Sequence, residues 1–68
     1  MKSQRVFVET DMDLYRATMI AEGLEEADEE TYITAWQWLV TSGMIHHLQG
    51  WYGRTAHDMI EQGIISAP

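Results

Sequence analysis

Three times along the chain two apolar residues, two others, a glycine and a further apolar residue follow one another. The segments are MIAEGL, LVTSGM and MIEQGI, and they place Gly23, Gly43 and Gly63 twenty residues apart. Each reads as a helix stop. Glycine takes the left-handed conformation just past a helix, and the apolar residue after it folds back on the last turn, pairing Leu24 with Met19, Met44 with Leu39 and Ile64 with Met59. The segments between the glycines share little else, so the spacing is read as three helices with similar ends rather than a duplicated unit.

The starts follow from capping. Thr10 precedes Asp11 and Asp13, Asp28 precedes Glu29 and Glu30, and Thr55 stands before Asp58, each an oxygen-bearing cap followed by carboxylates near the positive helix end. A mainly α fold is predicted: a small bundle of three principal helices near 11–22, 29–42 and 55–62 in one small domain, 1–68. A short turn is expected near 44–48, and the last helix has a possible start as early as Trp51. RVFV, within 5–9, is β-branched and aromatic and reads as extended; such a strand needs a neighbour, either Ile64 and Ile65 or a second copy of itself.

Placed at 100° per residue, Tyr32, Ile33, Ala35, Trp36, Leu39 and Val40 form one broad apolar stripe on the second helix. Trp38 falls roughly 160° from the centre of that stripe, beside Thr34 and Thr41. An indole there is either covered by another segment or presented to a partner. The first helix is two-sided as well, with Met12, Tyr15 and Met19 on one stripe and Leu14, Ala17 and Ala21 on another.

Composition sharpens this picture. Of 68 residues 46% are hydrophobic, with three Trp, three Tyr and five Met. A core of this size seldom leaves more than a few kcal/mol of net stability, so a homodimer is expected to share the apolar excess. The chain has no cysteine, which excludes disulfides, thiol nucleophiles and cysteine-bearing zinc sites and fits a reducing cytoplasm. No apolar run approaches the roughly 18 residues of a membrane span, and no signal-peptide layout opens the sequence. The net charge is −7, with only Lys2, Arg5, Arg16 and Arg54 opposing the acids. Direct nucleic-acid binding is not expected, because that affinity rests on Lys and Arg displacing counterions from phosphates.

HHLQGWYGR, His46 to Arg54, is the densest candidate chemistry. Adjacent His46 and His47 diverge on a helix and point oppositely on a strand, so they do not readily share one metal. His57 and Glu61 have the i,i+4 spacing of two ligands on one helix face, but two ligands do not make a site. Neither the Ser42 context nor any glycine-rich stretch matches a nucleophile elbow or a phosphate loop. No enzyme activity, cofactor or metal is expected. Gly50 and Gly53 read as places of tight backbone approach. Of Trp51 and Tyr52, one is expected to enter the core against Leu48 and Met59, and the other to lie partly outside with Arg54, whose guanidinium can stack on a ring.

The stretch AWQWLVTSGMIHHLQGWYGRTAHDMIEQGII, Ala35 to Ile65, resembles a group of short phage- and prophage-encoded proteins of unknown function. They share tryptophan, Thr or Ser before Gly, LQGW, an aromatic, GR-A and a final Gly, in that order. The resemblance implies a phage-type accessory protein acting in the host bacterial cytoplasm. Two surfaces compete as its working face. An aromatic patch, Trp38 with Thr34, Thr41, Trp51, Tyr52 and Arg54, would bind and inhibit or modulate a host protein, since Trp, Tyr and Arg dominate interface hot spots. Alternatively Glu22, Glu25, Glu26, Asp28, Glu29 and Glu30 would mimic nucleic acid in the basic groove of a nuclease, polymerase or defence complex, or serve simply as a solvated linker and a charged helix start.

Overall fold

The structure, a computed structural model, describes residues 12–68. It is mainly helical: α1 spans Leu14–Ala21, α2 Glu29–Ser42 and α3 Gly50–Glu61, with one 3₁₀ turn at Met44–His47 between α2 and α3. There is no strand among the described residues, and the extended reading of 5–9 lies outside them.

Local chemistry sets most of the boundaries. Asp28 stands in extended geometry and accepts the Thr31 N–H at 2.8 Å, which caps α2, while Glu29 and Glu30 follow in the first turn. The α1 boundary differs from the expected start near 11. Asp13 is the cap, its carboxylate accepting the Arg16 N–H at 2.8 Å; a carboxylate satisfies the orphan amide there, and the helix begins behind it. Thr10 and Asp11 lie outside the described residues.

Gly23 (φ 79°) and Gly63 (φ 77°) adopt the left-handed conformation, where a Cβ would crowd the following carbonyl. Each closes a six-residue hydrogen-bonded cap. The Leu24 and Ile64 amides donate to the Met19 and Met59 carbonyls at 2.8 and 2.9 Å, and the glycine amides to Ile20 and Ile60 at 3.0 Å. Only the backbone half of the expected pairing forms at Leu24, whose side chain is 67% exposed. At the end of α2 Gly43 (φ 82°) is left-handed as well and Met44 packs against the core, but the Met44 amide does not donate to the Leu39 carbonyl. The Ser42 hydroxyl donates to the Leu39 carbonyl and accepts the Met44 amide, both at 3.3 Å, and the chain turns instead into the 3₁₀ segment.

The third helix departs furthest from expectation. It begins at Gly50, so Thr55 is an interior residue rather than a cap. Tyr52, Ala56 and Met59 are its buried residues, an i, i+4, i+7 stripe. Two helical glycines cost about 1 kcal/mol each, and burying Tyr52 and Met59 returns about 1.5–3 kcal/mol apiece, so the longer helix wins. Gly53 makes no tight approach, because a Cβ there would meet nothing within 4 Å. At Gly50 the nearest atom to such a Cβ is the Arg54 Nη1 at 3.2 Å, the end of a flexible side chain.

Trp36, fully buried, lies at the middle of the core with Ile20 and Leu39. α1 packs closely on α2, and each carries a fully buried alanine, Ala17 and Ala35, that permits the approach. α3 stands off from α2 by the thickness of aromatic rings. Trp36 meets Trp51 edge-on at 6.3 Å between centroids and Tyr52 at 5.8 Å, while Trp51 and Tyr52 stack at 4.1 Å. The segment after α3 returns to the core through buried Ile65. Gln37 holds it there: its amide oxygen accepts the Ser66 N–H at 2.8 Å and its amide nitrogen donates to the Ser66 carbonyl at 3.0 Å.

Candidate interaction surface

On α2, residues two apart point nearly oppositely, so a helix that commits Trp36 to the core turns Trp38 outward. The structure places Trp38 half-buried, one side packed against the core and the other lining an open groove of about 360 Å³. Thr34 and Thr41 line the same groove, and so do Ile33, Gln37 and Met12. Thr34, Trp38 and Thr41 come together as the helical spacing requires. Met12, Ile33 and Gln37 went unassigned to this face in sequence, although Ile33, Gln37 and Thr41 repeat at i, i+4 and i+8 and signal one side of a helix.

Among the described residues no charged side chain lines the groove, although the chain carries −7 overall. Its polar edge is ordered: the Gln37 amide nitrogen donates to the Thr41 Oγ1 at 3.0 Å while also holding Ser66. The groove wall is therefore tied to the tail that covers the core. At one end Ile33 and Thr34 continue into a second hollow, lined also by Asp28, Glu29 and Glu30. The Thr31 hydrogen bonds hold the Asp28 carboxyl below its ordinary value of 3.8, which keeps it ionised.

The remaining aromatic candidates lie elsewhere. Tyr52 is buried, Trp51 is half-buried against it, and Arg54 is exposed on α3 above Gly50. As expected, one ring of the pair enters the core. The Tyr52 hydroxyl donates to the Glu22 carboxylate across thirty residues of chain. Burial first, then the Glu22 hydrogen bond and charge, push the Tyr52 hydroxyl up to about 12 from 10.0.

That contact also divides the acidic segment. Glu22 receives Tyr52, Glu25 accepts from the Arg16 Nε at 3.1 Å, and Asp28 caps α2. Glu26, Glu29 and Glu30 are exposed and have no side-chain partner among the described residues. His46 and His47 are exposed on the 3₁₀ turn, and His57 pairs with Glu61 at 3.1 Å on the outer face of α3. No three His, Asp or Glu side chains converge as a metal cluster among the described residues. No described helix is long and apolar enough to cross a membrane.

Neither the curated proteins nor the solved structures contain a match to this chain. A family match does exist and spans residues 12–68, all four helical elements and the groove included. The chain belongs to that family, described as a domain of unknown function, DUF7417.

Proposed function

We propose that this is a non-enzymatic binding protein of phage type that acts in the host bacterial cytoplasm, where it binds a host protein and inhibits or modulates it. The observation that carries the reading is the groove around Trp38. A partly apolar recess walled by an indole, with no charged side chain in its lining among the described residues, is what an interface hot spot needs in a chain that is acidic overall. Trp51 and Arg54 flank the same helical scaffold from α3 and form a secondary contact region, while Tyr52 supports it from inside. The phage assignment rests on the resemblance over Ala35 to Ile65. The acidic-mimic reading is weaker, since Glu22, Glu25 and Asp28 are engaged within the fold.

The test is affinity capture from a bacterial host with the full chain and with Trp38→Ala side by side, identified by mass spectrometry. A partner retained by the full chain and lost by the variant supports the reading. A partner held equally by both removes the groove from it. The chain is further proposed to work as a homodimer, with exposed Tyr15 and Leu24 as apolar surface outside the groove. A monomer mass by light scattering at low micromolar concentration would contradict that.

A further inference from the structure

Resting on the groove reading, we infer that the segment seated there is a basic, apolar-anchored peptide of the partner, with an aromatic or branched apolar side chain over Trp38 and Lys or Arg beside Asp28, Glu29 and Glu30. The sign follows from a comparison of charges. The N-terminus of α2 carries about half a positive charge from its dipole, and three carboxylates at the same place outweigh it several-fold. Asp28 is held ionised by its capping role, and Glu29 and Glu30 are exposed with no side-chain partner among the described residues. The apolar recess and the acidic hollow share Ile33 and Thr34 as a common wall, so one ligand segment can engage both.

The geometry limits that segment. Glu30 and Trp38 are eight positions apart on one helix, about 12 Å along its axis. Three or four residues of extended chain, or two turns of helix, span that distance. An anchor and its basic residues separated by such a stretch fit. An acidic segment is repelled, and an uncharged one leaves the carboxylates unused.

The experiment is selection of random linear peptides displayed against the immobilised full chain, followed by titration of synthetic copies of the enriched peptides. The chain's own Arg5-Val6-Phe7-Val8 has the same chemistry in sequence, so a Phe7→Ser chain is selected in parallel. Enriched peptides should share an apolar anchor with at least two Lys or Arg at one end. Trp38→Ala should weaken them by roughly tenfold or more, and so should Thr34→Arg, which fills the groove without touching the Trp36 core. Glu29→Gln combined with Glu30→Gln should weaken them roughly threefold to tenfold at low salt and flatten the salt dependence. Peptides that need Trp38 but carry no basic residues, or ignore the Glu29 and Glu30 changes, would overturn this inference and leave the groove reading standing. Peptides indifferent to both Trp38→Ala and Thr34→Arg would overturn the groove reading itself. Failure to enrich on either chain would show that no linear segment fits.

Discussion

Tyr52→Phe isolates one contact that joins the end of α1 to the start of α3. The ring stays, so its stacking on Trp51 and its edge against Trp36 survive; only the hydroxyl that donates to Glu22 is removed. A hydrogen bond to an ionised group contributes about 1.5–3 kcal/mol. Glu22 is solvent-exposed and regains water once its partner is gone, which lowers the expected loss to about 1–2 kcal/mol. For a domain of this size that corresponds to roughly 4–15 °C in melting temperature.

The pH dependence provides an internal control. The folded-state pKa of Tyr52 is raised from 10.0 to about 12, so the neutral phenol is the form that folding prefers. Its contribution is complete below pH 10, the value of the unfolded chain, and is lost as pH rises through about 12. The full chain should therefore be more stable than Tyr52→Phe by a constant amount at neutral pH, and the two stability curves should converge across the alkaline window. Glu22→Gln, which keeps an acceptor and removes the charge, should lie between them and move the late phenol step in a 295 nm absorbance titration to lower pH. Urea denaturation of the three proteins in pH steps measures all of this. Equal stability at neutral pH, or curves that stay parallel through the alkaline range, would refute the assignment of Tyr52 and Glu22 as a stabilising pair.

Gly53→Ala should stabilise by about 0.5–1 kcal/mol, because the position is helical and open. Gly23→Ala should destabilise by about 1–2 kcal/mol at its positive φ; thermal melts of both variants check the pair, and a loss at Gly53 would mean that something covers it. The depressed Asp28 pKa predicts that the cap on α2 is fully present above pH 3.8 and lost as pH falls through the folded-state value. Helical circular dichroism should then fall more steeply with acid in the full chain than in Asp28→Asn, which keeps a capping oxygen without the charge. Gln37→Ala removes both hydrogen bonds to Ser66, and amide exchange at Ser66 should accelerate roughly tenfold or more if those bonds hold the tail.

What was legible in the sequence is what short-range backbone physics decides. Asp28 as a cap and Gly23 and Gly63 as left-handed stops need only their own neighbours, and α2 is delimited where its pattern places it. The outward turn of Trp38 is likewise a matter of helical angle. The start of α3 at Gly50 lies one residue before the earliest start the sequence suggests, Trp51, and well before the Thr55 cap, because two glycines argue locally for a loop whereas burial of Tyr52, Ala56 and Met59 argues for helix from a distance. Their spacing was present in the sequence as a signal, but the glycines masked it. Wholly illegible were the contacts that cross the chain. Glu22 reads as one more acid in a charged linker, and nothing near it announces Tyr52; Gln37 reads as a polar helix residue, and nothing near it announces Ser66.

These cross-chain contacts change what the groove is. Trp36, Gln37 and Trp38 are consecutive, and they point in three directions with three tasks: Trp36 fills the core, Gln37 fastens the tail, and Trp38 faces the groove. Because the Gln37 amide also holds Thr41, the polar edge of the groove is set by the same side chain that keeps Ile65 inside. A half-buried indole on an isolated helix would sample several rotamers, and a partner would have to order it at a cost of about 0.5–1.5 kcal/mol. Here one side of Trp38 is braced against the core and the neighbouring edge is hydrogen-bonded, so much of that cost is met when the chain folds. On the proposed reading, the middle of α2 is thus where the fold would present a pre-ordered contact, with Trp36 inside and Trp38 at the groove.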